Sequence, residues 1–339
     1  MVTIYDVAAA SGFSPATVSK TFNAYPGVNN KTIDKIMNTA KEMGYTPNIA
    51  ARSLTTKKSW LVGMLFSEEL YSGLKHPHFG EIFSSAQIHL CKAGYDVVII
   101  NNSLGGSNIS YLKHCHYRGV EGVFMAASAL FSDAVQCIVE SPLKMVSVEM
   151  AYPGRYSVIS ENYNGAMHAM EHLFSLGHRK IAYIAGPLDR MSATERYQGY
   201  VDFLAERGLP FDPGLVVEAA DYSALDGYDA ALHLLDKAGG RFTAVFADYD
   251  DIACAVINCF SAKGLSIPGD VSVIGFDDLP VAEIAGLTTI RQDRKKIGCM
   301  AADILISQMQ GLPLEQNYDV RVPTSLVIRS SCRRIESEL

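Results

Sequence analysis

From Trp60 onward the sequence alternates short apolar runs with longer amphipathic stretches, and it does so twice. "WLVGMLF", "DVVII", "GVFMA" and "KMVSV" have the length and β-branched content of buried strands. "FGEIFSSAQIHLCKAG" and "FSDAVQCIVE", which fall among them, repeat apolar residues at helical spacing. In a second set the helical stretches "GAMHAMEHLFSLGH", "ATERYQGYVDFLAERG" and "DIACAVINCFSAKG" alternate with "KIAYIAG", "TAVFA" and "VSVIGF". Strands separated by helices pair in parallel, with helices on both faces of the sheet. Two such sets predict two Rossmann-like subdomains. Ligands of these sheets sit at the carboxyl ends of the strands, so the residues just after each strand are the informative ones.

Those residues are chemically suggestive. "HPHF" (His76 to Phe79) follows the first strand after a loop, Asp277 and Asp278 follow "VIGF", Arg196 opens the exposed end of a helix, and Tyr222 lies in "ADYSALDGY". A polar small molecule such as a sugar needs carboxylate and guanidinium partners and an aromatic platform, and all three types are present. Each residue taken alone reads more readily as an ordinary loop or surface residue. Catalytic and metal patterns are lacking. There is no GxGxxG, no GxxxxGK[ST] and no Gly-x-Ser-x-Gly. His168 with His172, and His114 with His116, have helical or alternate spacing but no completing ligand, and read as surface histidines. Asp248, Asp250 and Asp251 lack the Gly and terminal Glu of a calcium loop. The expectation is no catalytic residue, no metal and no cofactor.

The 339 residues carry a net charge of −7, unevenly spread. Residues 1–58 hold seven basic against three acidic side chains, a net of +4, and the remainder a net of −11. A small basic head on an acidic body points to a polyanion partner for the head alone. The seven cysteines are scattered without a Cys-x-x-Cys, as expected of reduced, mostly buried thiols in a cytoplasmic protein. No window approaches 18 consecutive apolar residues and no secretory leader pattern opens the chain, so no membrane partner is expected.

The head reads as three helices. Thr3 can cap a first helix bearing Ile4, Val7 and Ala8 on one side, and Gly12 suits the left-handed turn that ends it. Ser14 caps a second helix with Pro15 at its first position, Val18 and Phe22 pointing inward, and Pro15, Ala16, Thr17, Ser19 and Lys20 left outward. A helix whose exposed N-terminal face is small and polar can enter the major groove of DNA. The same pattern also serves as a plain packing unit. Asn30 is expected to cap a third helix with Ile33, Ile36, Met37, Ala40 and Met43 as its apolar stripe. Ile49 to Leu54 could form barely two turns, too short to be stable without a partner.

"VTIYDVAAASGFSPATVSK", the "PGV" that follows, and "GYTPNIAARSL" together resemble the LacI/GalR family of bacterial transcription regulators over residues 2–58. "SENYNGAMHAMEHLFSLGHRKIAYIAGP", "ATERYQGY", "VSVIGFDDLP", "TTIRQD" and "PTSLVIRSSC" extend the resemblance, in order, through the rest of the chain. The resemblance implies that Pro15, Ala16 and Lys20 face base edges and that Thr17, Ser19, Asn23, Asn29 and Thr32 contact phosphates. Leu54 would be wedged into the minor groove, and Thr3, Ser14, Asn48 and Ala51 would complete the DNA-facing set. It implies an effector site of His76, His78, Phe79, Arg196, Tyr222, Tyr249, Asp277 and Gln292. This chain departs from the family at Lys20, where relatives commonly have Arg. His76 and His78 stand in a stretch where many relatives read Asn-Pro-Phe-Phe, and Tyr249 where they usually have Asn.

The resulting expectation is a small all-α helix-turn-helix domain (1–46), a hinge helix and linker (47–59), and a periplasmic-binding-protein-like α/β body (60–339). Its N-subdomain would cover about 60–160 and 292–323, and its C-subdomain about 161–291 and 324–339. The chain would cross between subdomains near Ser160, Arg291 and Thr324. The function expected is a cytoplasmic homodimeric regulator of the repressor type, binding a palindromic double-stranded operator under control of a small molecule, a sugar or sugar derivative. The resemblance leaves room for a phosphocarrier-protein corepressor. The alternative is a stand-alone sugar sensor without DNA function.

Overall fold

A computed structural model describes residues 2–23, 26–46, 58–66, 76–126 and 133–335. The chain divides into two compact units near Leu61.

In the first unit, α1 (Ile4–Ser11) begins at a reciprocal cap. The Asp6 amide donates to Thr3 Oγ1 at 3.4 Å and the Thr3 amide to Asp6 Oδ2 at 2.8 Å. Gly12, at φ 76°, closes the helix in the left-handed conformation that a β-carbon disfavours. In α2 (Pro15–Phe22), Ser14 Oγ accepts from the Thr17 amide at 3.1 Å. In α3 (Asn30–Glu42) the cap is Asn29, not Asn30: Asn29 Oδ1 accepts from the Thr32 amide at 2.8 Å, and Asn30 is already helical. Val7, Ala8, Val18, Ile36 and Ala40 form the core, with Phe13, Phe22 and Tyr45 packed around it. Met37, expected on the apolar stripe, is exposed, because the narrow core takes only Ile36 and Ala40 fully.

The body runs β1 (Leu61–Phe66), α4 (Pro77–Lys92), β2 (Asp96–Ile100), β3 (Ser103–Leu104), β4 (Ser107–Asn108), α5 (Tyr111–Arg118), β5 (Gly122–Ala126), α6 (Asp133–Val139), β6 (Lys144–Val148) and β7 (Tyr156–Ser160). It continues through α7 (Asn162–Ser175), β8 (Ile181–Ala185), α8 (Met191–Glu206), β9 (Val216–Glu218), α9 (Ala224–Ala238), β10 (Ala244–Ala247), α10 (Asp250–Ala262), β11 (Ser272–Asp277) and α11 (Pro280–Ile284). The last elements are β12 (Thr288–Arg291), α12 (Arg294–Gln310), β13 (Asp319–Val322) and β14 (Ser325–Val327). Two six-stranded sheets result, ordered β13-β7-β6-β5-β1-β2 and β14-β12-β11-β10-β8-β9. Pairing is parallel wherever a register is defined within them, except between β12 and β14. The alternation that predicts two sheets is therefore present. The short strands β7, β9 and β12 to β14, the hairpin β3–β4, and helices α5 and α9 are additions to the sequence reading.

The chain passes from the first sheet to the second after Ser160, returns after Arg291 as α12, and crosses again between β13 and β14. Helix α12 lies along α4, and Gly298 makes that close approach possible: a β-carbon there would stand 2.3 Å from the Ile82 carbonyl oxygen. The thiols are less buried than expected. Cys115 and Cys259 are buried, Cys91 and Cys137 are exposed, and the rest lie between, since Cys91 and Cys137 occupy solvent-facing helical positions. His114 is not a surface residue either. It is buried, with its ring nitrogens hydrogen-bonded to the Asn101 backbone and to Arg118 Nε at 3.2 Å.

Candidate functional site

The strand ends of both sheets open onto one cavity of about 100 Å³. A single water occupies roughly 10–15 Å³ on this measure, so the space admits one small ring. All eight residues expected to meet an effector line it. From the first sheet, β1 leads to His76, His78 and Phe79 at the start of α4, and β6 delivers Glu149 and Met150. From the second, β8 leads to Arg190, Met191, Ser192 and Arg196 on α8, and β9 to Asp221 and Tyr222. Strand β10 leads to Tyr249 at the start of α10, β11 ends in Asp277, and β12 is followed by Gln292.

One wall is aromatic. Phe79 packs on His76 and His78 with ring centroids 5.2 and 5.0 Å away, and Tyr222 meets Tyr249 edge-on at 5.4 Å. His76 Nε2 and the Tyr249 hydroxyl share a 2.9 Å hydrogen bond across the cleft. Two departures from the family pattern are thus in contact with each other. Burial drives the His76 imidazole down to about 4 and holds His78 well below the ordinary histidine range, helped by His76, Arg294 and Arg196 nearby. Both rings are neutral at pH 7.

The other wall is polar. Arg196 does not open an exposed helix end, as the sequence suggests. It sits inside α8, only 4% exposed. Its Nε donates to Asn162 Oδ1 at 2.9 Å and its Nη1 to the Asp248 carbonyl at 2.6 Å, while the guanidinium lies 3.8 Å from the Phe276 ring centre. Stacking on a ring and hydrogen bonding to two other segments satisfy a buried guanidinium that a helix surface would leave in water. Arg196 Nη2 approaches Asp277 Oδ1 at 3.6 Å, and Gln292 Nε2 donates to the same oxygen. Burial pushes the Asp277 carboxyl well above the usual range, against the pull of Arg196.

Glu149 was not among the residues singled out from the sequence, although it directly follows the strand "KMVSV" and the strand-end rule covers it. Its Oε1 accepts from Ser160 Oγ at 3.0 Å and stands 3.9 Å from His78 Nε2, and burial pushes its carboxyl up to about 7. Among the described residues four non-glycine residues have positive φ; Glu149 (57°) and Asp277 (114°) line the cavity, and Asp278 (57°) directly follows. Such conformations cost energy and persist where surrounding structure enforces them. Asp278 is held by Arg291 Nε and Arg329 Nη2, both at 2.6 Å.

In the amino-terminal unit, Ser14, Pro15, Ala16 and Lys20 are exposed on α2, as are Thr3 and Asn29. Thr17, Ser19, Asn23 and Thr32 are half-buried rather than fully outward, since each turns toward a local partner or neighbouring helix. Thr17 Oγ1 lies 2.9 Å from Ser14 Oγ, and Asn23 Nδ2 donates to the Ser19 carbonyl at 2.9 Å. A shallow groove of Phe13, Asn29, Asn30, Lys31, Thr32 and Lys35 adds two cations that the sequence reading passed over. Asn48, Ala51 and Leu54, with the hinge helix, lie outside the described residues. Among the described residues no helix is long and apolar enough to cross a membrane, and no cluster of metal-ligating side chains occurs.

Known proteins match both units. A family model for bacterial regulatory proteins of the lacI family matches residues 3–48, and one for a periplasmic binding protein-like domain matches residues 170–332. The HTH-type transcriptional regulator DegA of Bacillus subtilis is 31% identical, with 97% of each chain aligned. The solved structure of the Lac repressor dimer bound to operator and an anti-inducer superposes with a TM-score of 0.80 at 26% identity, covering 98% of this chain and 99% of that one. A complex of the transcriptional regulator CelR with cellobiose gives 0.71 at 28% identity, covering 98% and 100%.

Proposed function

The chain belongs to the lacI family of bacterial regulatory proteins, and from that membership we propose a cytoplasmic homodimer that reads a palindromic operator and releases or grips it according to a small polar molecule held in the cleft. The observation that carries the reading is the lining of the cleft. Residues after seven strand ends bring an aromatic wall and a buried Arg–Asp–Gln group to one enclosed space, a combination suited to a ring bearing hydroxyl groups. DNA reading rests on α2, whose exposed small residues allow a helix to enter the major groove with Lys20 toward a base edge or phosphate. Asn48, Ala51 and Leu54 are assigned to the minor groove on the family pattern alone. Two heads related by a twofold axis read two half-sites, whose spacing the dimer fixes.

Control follows from topology. The three crossings between the sheets let the two halves of the body change their angle with small torsions per strand, and a ligand bridging both walls favours one angle. We assign the cleft to binding, with no catalytic step. Selection of the full-length chain against random duplexes at low salt tests the proposal: it should enrich a twofold-symmetric site. Enrichment of no sequence, or a protein that stays monomeric, would overturn it and favour a ligand sensor without DNA function.

A further inference from the structure

We infer that the cleft selects an uncharged, polyhydroxylated ring and rejects the same ring carrying a phosphate or carboxylate group. The inference rests on the cleft being the small-molecule site proposed above. Five buried side-chain atoms lining the cavity have no hydrogen-bond partner among the described residues: Asp277 Oδ2, Gln292 Oε1, the Tyr222 hydroxyl, His76 Nδ1 and His78 Nδ1. The donating end of the Gln292 amide is committed to Asp277, so its free end is an acceptor. A neutral imidazole nitrogen or a carboxyl oxygen gives or takes a proton according to tautomer and protonation. Hydroxyl groups donate and accept, and can satisfy all five atoms. A phosphate or carboxylate group that takes the place of the hydroxyl beside Gln292 only accepts at neutral pH, and would leave Gln292 Oε1 unpaired.

The charges agree. Helices α4, α8 and α10 begin at the cavity without side-chain caps, so their positive ends face it. The protein already sets carboxyl groups of its own there. Asp277 and Glu149 are buried against the cavity, and Asp221 lies on its lining. Arg196 is occupied by Asn162, the Asp248 carbonyl and Asp277, and Arg190 is paired with Asp189 at 3.3 Å. Burial already raises the pKa of both Asp277 and Glu149, and an anionic ligand beside them would keep on them protons that the free protein releases as pH rises. At pH 8, one unit above the value near 7 of Glu149, keeping that proton corresponds to a loss of about tenfold in affinity.

The test uses the full-length chain and matched probes: glucose with glucose 6-phosphate and glucuronate, galactose with galacturonate, and ribose with ribose 5-phosphate, followed by thermal shift and titration calorimetry. The expected result at pH 8 is stabilisation by at least one neutral sugar and binding of its anionic counterpart about tenfold weaker or less. In Glu149→Gln the gap between that pair should narrow severalfold at the same pH, because the carboxyl group that must keep its proton is gone. An anionic probe that binds as tightly as its neutral counterpart overturns the inference and leaves the cleft reading standing. Silence from every probe, neutral and anionic alike, overturns the sugar reading of the cleft and the inference with it.

Discussion

Replacing Glu149 by Gln should stabilise the ligand-free body at pH 8 and change little at pH 4.5. The Glu149 side chain is 8% exposed, has Ser160 as its hydrogen-bond donor, and faces a neutral His78. Burial therefore favours its uncharged form and moves its pKa from 4.5 to about 7. A pKa raised by folding means that the fold holds the proton more tightly than the unfolded chain does. The associated stability is fully present below pH 4.5 and is lost as pH climbs through 7. At about 1.36 kcal/mol per pH unit, the difference is at most about 3 kcal/mol. Gln keeps the size and an oxygen acceptor for Ser160 but never ionises. Asp250, also pushed up to about 7, titrates in both proteins and cancels in the comparison. At about 2 °C per kcal/mol for a body of this size, thermal melts followed by circular dichroism should separate the two proteins by about 6 °C at pH 8 and hardly at all at pH 4.5. Equal midpoints at pH 8, or a variant less stable at every pH, would refute the electrostatic account of the site.

Gly298→Ala offers a contest between two effects. Helix propensity alone favours Ala by about 1 kcal/mol. The added carbon would stand 2.3 Å from the Ile82 carbonyl oxygen, so α4 and α12 must separate, and a net loss of about 1–3 kcal/mol is expected, read as a lower melting midpoint. Lys20→Ala should cost about 1–3 kcal/mol on the selected operator in fluorescence anisotropy; a loss spread equally over all sequences would make Lys20 a phosphate contact. Asp277→Asn should remove the response of operator binding to ligand while leaving ligand-free operator affinity within about twofold. A normal response would take Asp277 out of the site.

The sequence discloses what local chemistry decides. Thr3, Gly12 and Ser14 act at helix ends through neighbours within four residues, and the buried runs of β1, β5 and β8 are apolar enough to be seen alone. Strands such as β13 are different. "DVRV" is short and half charged, and it becomes a strand only by pairing with β7, some 160 residues away. Helix α9 had a readable signal that went unused: Ser223 Oγ accepts from the Asp226 amide, and Ala230, Ala231, Leu234 and Ala238 repeat at helical spacing.

The site shows the same division. Strand-end position and family pattern pointed to His76, His78, Phe79, Arg196, Tyr222, Tyr249, Asp277 and Gln292, and all of them line one cavity. Neither indicated that Arg196 is buried, because its partners Asn162, Asp248 and Phe276 come from three other elements. Nor could the sequence pair His76 with Tyr249 across 173 positions. Glu149 was reachable by the strand-end rule and was passed over because a lone Glu in a loop is usually solvated.

The central claim is that the cleft and the DNA-reading unit are energetically linked, and thermodynamic linkage makes that claim measurable in both directions. Once a ligand and an operator are in hand, operator affinity is measured with and without saturating ligand, and ligand affinity with and without saturating operator. The account predicts that both change by the same factor, between about 5-fold and 150-fold. Two affinities that each ignore the other partner would contradict it.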